Sequence, residues 1–259
     1  YACHAPYIAL MSIGLFLVFG SVVYTLEHCI GYKQLKGYER EVPQPHSTKE
    51  LTLSFLDGLK LLLTHPYVMG IFILIFMQEF ISTVMGFQLS LLVKLTYPDP
   101  GAVNKFLFDF ALCVQVIACA FGLIGTSLFQ RKLGIRTSLI AYPTFLGLFV
   151  ICYMVQPTLQ TIFYVMLIAK ALGYALNQPT KEVLYIPTSK NIKYKSKAWI
   201  DMFGLRFAKS SGSALNWYVG PIVLLTGSIS LVIIGLWIFF AGLIGTRFKR
   251  AVAKKEIID

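Results

Sequence analysis

Residues Tyr174–Ser213 read YALNQPTKEVLYIPTSKNIKYKSKAWIDMFGLRFAKSSGS, the most informative segment of the chain. It joins two strongly apolar segments, yet it carries Lys181, Lys190, Lys193, Lys195, Lys197, Arg206 and Lys209. The last two fall where the next apolar helix has already begun. A charge inside a membrane span costs about 2.5–3.5 kcal/mol on insertion scales, so it faces a partner or an aqueous cavity.

The rest of the chain supplies the spans. Hydrophobic residues make up 56% of the sequence and charged ones 14%, with a mean hydropathy of +0.69; soluble domains are nearer half apolar and a quarter charged. The excess gathers in blocks long enough to cross a bilayer, which takes about 20 residues. They are Pro6–Tyr24, Tyr67–Val93, Phe106–Phe129, Thr137–Val155, Thr158–Leu176, Met202–Leu225 and Ser228–Thr246. Only helices satisfy every backbone group within one segment in lipid. Alternating strands of about ten residues, the mark of a barrel, do not occur. The predicted class is all-α, a polytopic membrane protein.

The chain opens at Tyr1, and its first apolar block has no basic n-region and no small-residue cleavage site, so it does not read as a signal peptide. A start partway along a longer protein is expected. Cys3, Cys29, Cys113, Cys119 and Cys152, with His4, His28, His46 and His65, form no zinc or redox spacing. No metal and no cofactor is therefore expected.

The net charge of +11 is distributed loop by loop. Lys33, Lys36, Arg40, Lys49 and Lys60 precede the second block. Arg131, Lys132 and Arg136 fall in the next-but-one connection, the lysine-rich stretch two loops later, and Arg247, Lys249, Arg250, Lys254 and Lys255 at the end. Intervening connections hold only Lys94 and Lys105, or nothing. This alternation is the positive-inside pattern. It places Tyr1 outside and Asp259 in the cytoplasm, and it speaks for a lipid bilayer as partner rather than nucleic acid.

Residues 1–26 read as the last transmembrane helix of a preceding half, and residues 27–65 as a cytoplasmic linker. Within the linker Thr48 is a candidate N-cap, and Leu51, Phe55, Leu59 and Leu62-Leu63 line one face of an interfacial helix. Residues 66–246 form six helices and residues 247–259 a basic tail. Transporters built as two six-helix halves place such a linker between them. The run Gly125 to Arg136, GTSLFQRKLGIR, is similar to the G-x-x-x-D-R-x-G-R-R loop of the major facilitator superfamily, with Gln130 in place of the acid. The expected architecture is thus a major-facilitator-like six-helix half plus one preceding helix.

The lysine-rich stretch also resembles the signature of the bacterial and plastidic ATP/ADP translocases, the TLC family. The matching pieces are Tyr174-Ala-Leu, Lys181-Glu182, Tyr185-Ile186-Pro187, Lys195-Ser-Lys197-Ala198-Trp-Ile200-Asp201 and Arg206-Phe-Ala-Lys209-Ser-Ser-Gly212-Ser213. The likeness extends from about Leu51, through His65-Pro66-Tyr67 to Tyr97-Pro98-Asp99-Pro100. Gly86 stands where the family has Glu, Ser90 and Gly173 where it has Lys, and Gln178 where it has Asp. The resemblance implies nucleotide exchange of the ATP/ADP antiport type, by alternating access, across a bacterial inner membrane or an equivalent organellar one. It implies a nucleotide as transported substrate, a further N-terminal half, and no enzyme activity. No G-x-x-x-x-G-K-[ST] loop is present, so ATP is read as cargo. Two alternatives stand beside this: a proton-coupled facilitator of another nucleotide or small anion, and a membrane scaffold that transports nothing.

Candidate substrate-binding residues are Lys170, Arg206, Lys209, Tyr174 and Asn177. Lys170 lies too deep in its span for easy snorkelling, and reads either as a cavity-facing phosphate ligand or as half of an intramembrane ion pair. Arg206 and Lys209, three apart, share a helix face. Tyr174, Asn177 and Gln178 offer hydrogen bonds to a base or ribose, or cap a helix. Candidate gate or coupling residues are Glu79, Asp201 and Lys197. Glu79, the deepest acid, is either a proton-coupling carboxylate or the partner of a cation such as Lys170. Lys197 and Asp201 have the spacing of an i,i+4 pair.

Overall fold

A computed structural model describes residues 58–254 together with Leu17 and Ser21, the side chains of 121–133 and 190–191 excepted. The chain divides into two units, Tyr1–Leu51 and Thr52–Asp259. The second holds every helix of the site. The span expected at Pro6–Tyr24 and the linker before residue 58 lie outside the described residues.

From Pro66 on, six helices follow in order among the described residues: α1 (Pro66–Thr96), α2 (Pro100–Leu133), α3 (Ile135–Val155), α4 (Leu159–Leu184), α5 (residues 190–219) and α6 (Val223–Lys254). Pro66 opens α1, where its missing N–H costs nothing. Tyr97, extended before Pro98, closes it. At 31 residues α1 is about 46 Å long, ample for a bilayer. Among the described residues five helices are long and apolar enough to cross a membrane. The exception is α5, whose Asp201, Arg206, Lys209 and Asn216 interrupt its apolar face.

Small residues set the packing. A Cβ added at Gly212 of α5 would lie 3.1 Å from the Phe80 carbonyl oxygen and from Thr83 Cβ of α1, and one at Gly204 would lie 2.8 Å from Phe72. Rising numbers on both helices mean that α5 runs parallel to α1. Gly227 against Met154, Gly147 against Ile234 and Gly245 against Arg136 show α6 antiparallel to α3. The core between them holds Val68, Ile71, Ile81, Val150, Ile162, Ile200, Ile234 and Trp237.

These pairings bring the basic segments to one end of the bundle. Arg136 packs on Gly245, a Cβ on Gly58 would meet the Lys195 carbonyl oxygen at 3.0 Å, and Tyr67 donates to the Leu184 carbonyl at 2.8 Å. Cysteines placed at Arg136, Lys195 and Arg250 should therefore react with a membrane-impermeant maleimide from one side, and cysteines at Gln156 and Gly220 from the other. Labelling of Arg136→Cys and Lys195→Cys from opposite sides would refute the arrangement.

Several expected boundaries move. The polar stretch after Leu176 is helical through Leu184, leaving only residues 185–189 between α4 and α5. The basic connection at 130–136 is helical through Leu133, and Gly134 (φ 73) alone makes the turn, in the left-handed region glycine tolerates. The span expected over Met202–Leu225 stops at Val219: Gly220 (φ 67) ends it, Pro221 comes next, and α6 begins at Val223. In the short helix at residues 58–64, at the expected end of the linker helix, Leu62 is buried and Leu63 is 65% exposed, so the two do not share one face.

Candidate functional site

Two of the six helices are not regular, and both irregularities fall in the lysine-rich stretch or at its edge. In α4 a π-turn covers Gly173–Asn177, where the Gln178 N–H bonds the Gly173 carbonyl five residues back. In α5 a second covers Ile200–Gly204, closed by the Leu205 N–H on the Ile200 carbonyl. Single π-turns inside α-helices occur mostly at functional sites. Each inserts a residue and so rotates the remainder of its helix by about 100° relative to an unbroken one.

The first π-turn borders a small open cleft of about 70 Å³. Gln78, Glu79 and Ser82 of α1, Tyr142 of α3, and Lys170, Tyr174 and Gln178 of α4 line it. Lys170 Nζ donates to Ser82 Oγ at 2.8 Å. Glu79, one turn before Ser82, has its Oε2 4.0 Å from Lys209 Nζ. The lysine is 61% exposed and the glutamate 22%, so the pair sits at the rim. Tyr142 donates to the Ala169 carbonyl at 3.4 Å, and a Cβ at Gly173 would stand 3.4 Å from its hydroxyl. Beyond Lys170 the cleft continues into a narrow apolar pocket between Ile81, Met85, Leu146 and Met166.

Thus Lys170, Lys209, Glu79 and Tyr174 come together. The neighbours differ in detail: Glu79 faces Lys209, and Lys170 takes Ser82 instead. Asn177 is buried and donates to Gln78 Oε1, tying the π-turn to α1. Arg206 lies one turn nearer the basic end than Lys209, exposed, with no ion pair or hydrogen bond among the described residues. It does not line the cleft. Ser90 closes back on the Gly86 carbonyl at 3.0 Å, so the two departures in α1 are neighbours one turn apart.

Lys197 and Asp201 sit at the basic end. Lys197 reaches across the turn to Glu182, 2.7 Å from both carboxylate oxygens, and lies 6.0 Å from the Tyr185 ring centre. Among the described residues it makes no ion pair with Asp201, the i,i+4 partner expected from spacing. Asp201 is exposed at the surface, yet surrounding protein pushes its carboxyl above the ordinary range by desolvation, against the pull of Lys197. Burial likewise pushes the Tyr185 phenol up. With Lys197 33% and Glu182 58% exposed, their bridge is a surface pair. A double-mutant cycle with Lys197→Met and Glu182→Gln is expected to return about 0.2–1 kcal/mol; several kcal/mol would mean a locked gate.

Sequence reasoning missed Gln78, Ser82 and Tyr142 as lining residues. Gln78 and Ser82 had a signal, as polar residues one turn apart inside an apolar span. Tyr142 had none, since a tyrosine there reads as core. Lys181, read in the sequence only as part of a motif, is 8% exposed, with no ion pair within 4 Å among the described residues. Its electrostatic neighbours are Glu79, Asp201 and Glu182.

A bundle of long apolar helices that turns cations and a carboxylate into one cleft defines an all-α polytopic membrane protein with a polar site among its spans. The chain belongs to the TLC ATP/ADP transporter family, whose model matches residues 7–248. It is 22% identical over 84% of its length to ADP,ATP carrier protein 2, chloroplastic, of Arabidopsis thaliana, covering 40% of that protein. To ADP,ATP carrier protein 3 of Rickettsia bellii it is 25% identical over 73% of the chain and 40% of the relative. To ADP,ATP carrier protein 1 of Rickettsia prowazekii it is 25% identical over 79% and 47%. These relatives are carriers by name, not enzymes. The chain spans less than half the length of each of them. No solved structure matches it.

Proposed function

We propose that the chain forms part of a secondary transporter exchanging nucleotides of the ATP/ADP type by alternating access. The observation that carries this reading is Lys170, a cation well inside a transmembrane helix, turned into a cleft whose rim holds Lys209. Anionic phosphates that leave water need such cations, and charge-assisted bonds to phosphate are about twice as strong as neutral ones. Tyr174 and Gln178 offer a ring face and an amide on the same wall. A cleft of about 70 Å³ holds a few waters at about 30 Å³ each, not a nucleotide. In this proposal it is therefore one wall of the cavity, the other belonging to an N-terminal half outside these residues, in a bacterial inner membrane or its organellar equivalent. On this reading Arg206, outside the cleft and one turn from Lys209, meets the substrate on its approach, and Asp201 and Lys197 guard the basic end.

Proteoliposomes holding the complete transporter would be loaded with ADP and offered labelled ATP. Uptake should require internal nucleotide. Absence of uptake for any nucleotide, with or without internal substrate, would reject the reading. A second reading, a proton-coupled facilitator of a small anion, is favoured by Glu79, a carboxylate in the cleft that Lys209 only approaches. Uptake driven by an imposed pH gradient without internal nucleotide, and lost in Glu79→Gln, would establish it instead.

A further inference from the structure

A larger cavity lies away from this cleft, at the basic end, between the start of α3 and the last turns of α6. It is a groove of about 580 Å³, bordered by Gly134, Arg136 and Thr137 at the start of α3 and by Phe248, Lys249 and Val252 on α6. Arg136 and Lys249 face it together, because the arginine stem lies on Gly245, where a Cβ would be 2.9 Å from Arg136 Cγ, and Lys249 comes one turn later. Among the described residues neither cation makes an ion pair or hydrogen bond, and no acid borders the groove. The first turn of α3 opens into it without a side-chain cap, since Gly134 has none to offer. Its first amides therefore carry uncompensated partial positive charge. Toward the bilayer the same face of α6 is open among the described residues: Gly242 and Gly235 lie seven and fourteen residues before Lys249, and a Cβ added at either meets none of them within 4 Å. A site that is cationic at the membrane edge and apolar and unfilled along the helix below it matches an amphiphile with an anionic head.

We propose that this groove binds the phosphate head of an anionic phospholipid, held by Arg136, Lys249, the Thr137 hydroxyl and the α3 amides, with an acyl chain along the track of Gly242 and Gly235. A free phosphate would use the head of the site and leave the track empty.

The test is native mass spectrometry of the purified protein in detergent, titrated with dioleoyl phosphatidylglycerol, dioleoyl phosphatidylcholine or inorganic phosphate. One phosphatidylglycerol should be retained in preference to phosphatidylcholine. The Arg136→Gln/Lys249→Gln variant should bind it roughly 25-fold more weakly, at about fivefold per cation. A control of equal charge change, Arg250→Gln/Lys254→Gln, should leave it unaltered. Gly242→Leu fills the track without touching either cation, and should weaken phosphatidylglycerol retention while leaving phosphate unaffected. Equal retention of phosphatidylcholine, an equal loss in the control variant, or phosphate binding as tightly as the lipid would each overturn the proposal.

Discussion

Replacing Lys170 by Gln should weaken ATP binding roughly tenfold or more while leaving the helices in place. The ammonium already stands in the cleft and, among the described residues, donates only to Ser82 Oγ, a neutral partner it can exchange for phosphate. A charge-assisted bond to an ionised group contributes about 1.5–3 kcal/mol, and 1.4 kcal/mol is a factor of ten. Glutamine keeps a donor for Ser82, so the loss reports the charge and not the packing. Lys209→Gln should cost less, because that ammonium is 61% exposed and remains partly solvated. The order of effect, Lys170 above Lys209 above Lys254, is the informative result. Binding of labelled ATP to purified variants reads it directly. Unchanged binding in Lys170→Gln would remove this cleft from the substrate path, whatever the transporter carries.

Gly212→Val should be the most damaging single substitution in the contact between α1 and α5. An added Cβ there meets the Phe80 carbonyl oxygen and Thr83 Cβ, both at 3.1 Å. Backbone and its first side-chain atom cannot swing aside, so the two helices must part. Overpacking of this kind costs about 1–3 kcal/mol, which for a chain of this size lowers the melting temperature by about 2–4 °C per kcal/mol. Separation also draws Lys209 away from Glu79, so substrate binding should fall with stability. Gly70→Ala looks worse on distance, with Ile244 Cδ1 at 2.1 Å and Cγ1 at 2.8 Å, but it meets one side chain and no backbone, and adds one methyl rather than three carbons. It should therefore be milder. Gly235→Ala, with nothing within 4 Å, should be neutral or slightly stabilising. Melting curves of the three variants in one detergent decide the matter, and a Gly212→Val protein as stable as Gly235→Ala would show that the helices do not depend on this approach.

Much of this architecture was legible in residue order. Apolar blocks of about 20 residues have one stable backbone solution in lipid, so Tyr67–Val93 or Ser228–Thr246 had to be helical whatever surrounded them. Basic residues recurring in alternate connections placed those connections at a common end, and the fold groups Arg136, Lys195 and the end of α6 there. Lys170 and Glu79 were recognisable because an ionised group in an apolar helix demands an explanation that a leucine does not.

Which groups meet was a different matter. Sequence spacing measures distance along one helix, and it paired Lys197 with Asp201, whereas the turn between α4 and α5 brings Glu182 to that ammonium. It offered Lys170 to Glu79, yet α5 runs parallel to α1 and delivers Lys209 to that carboxylate, leaving Ser82 for Lys170. Tyr142 joins the cleft only because α3 crosses behind α4. Composition and period are local and derive from hydration of side chains and backbone. Partner choice depends on the rotation and rise of each helix against its neighbours, set here by close contacts at Gly204, Gly212 and Gly245 and by one extra residue in each of two turns.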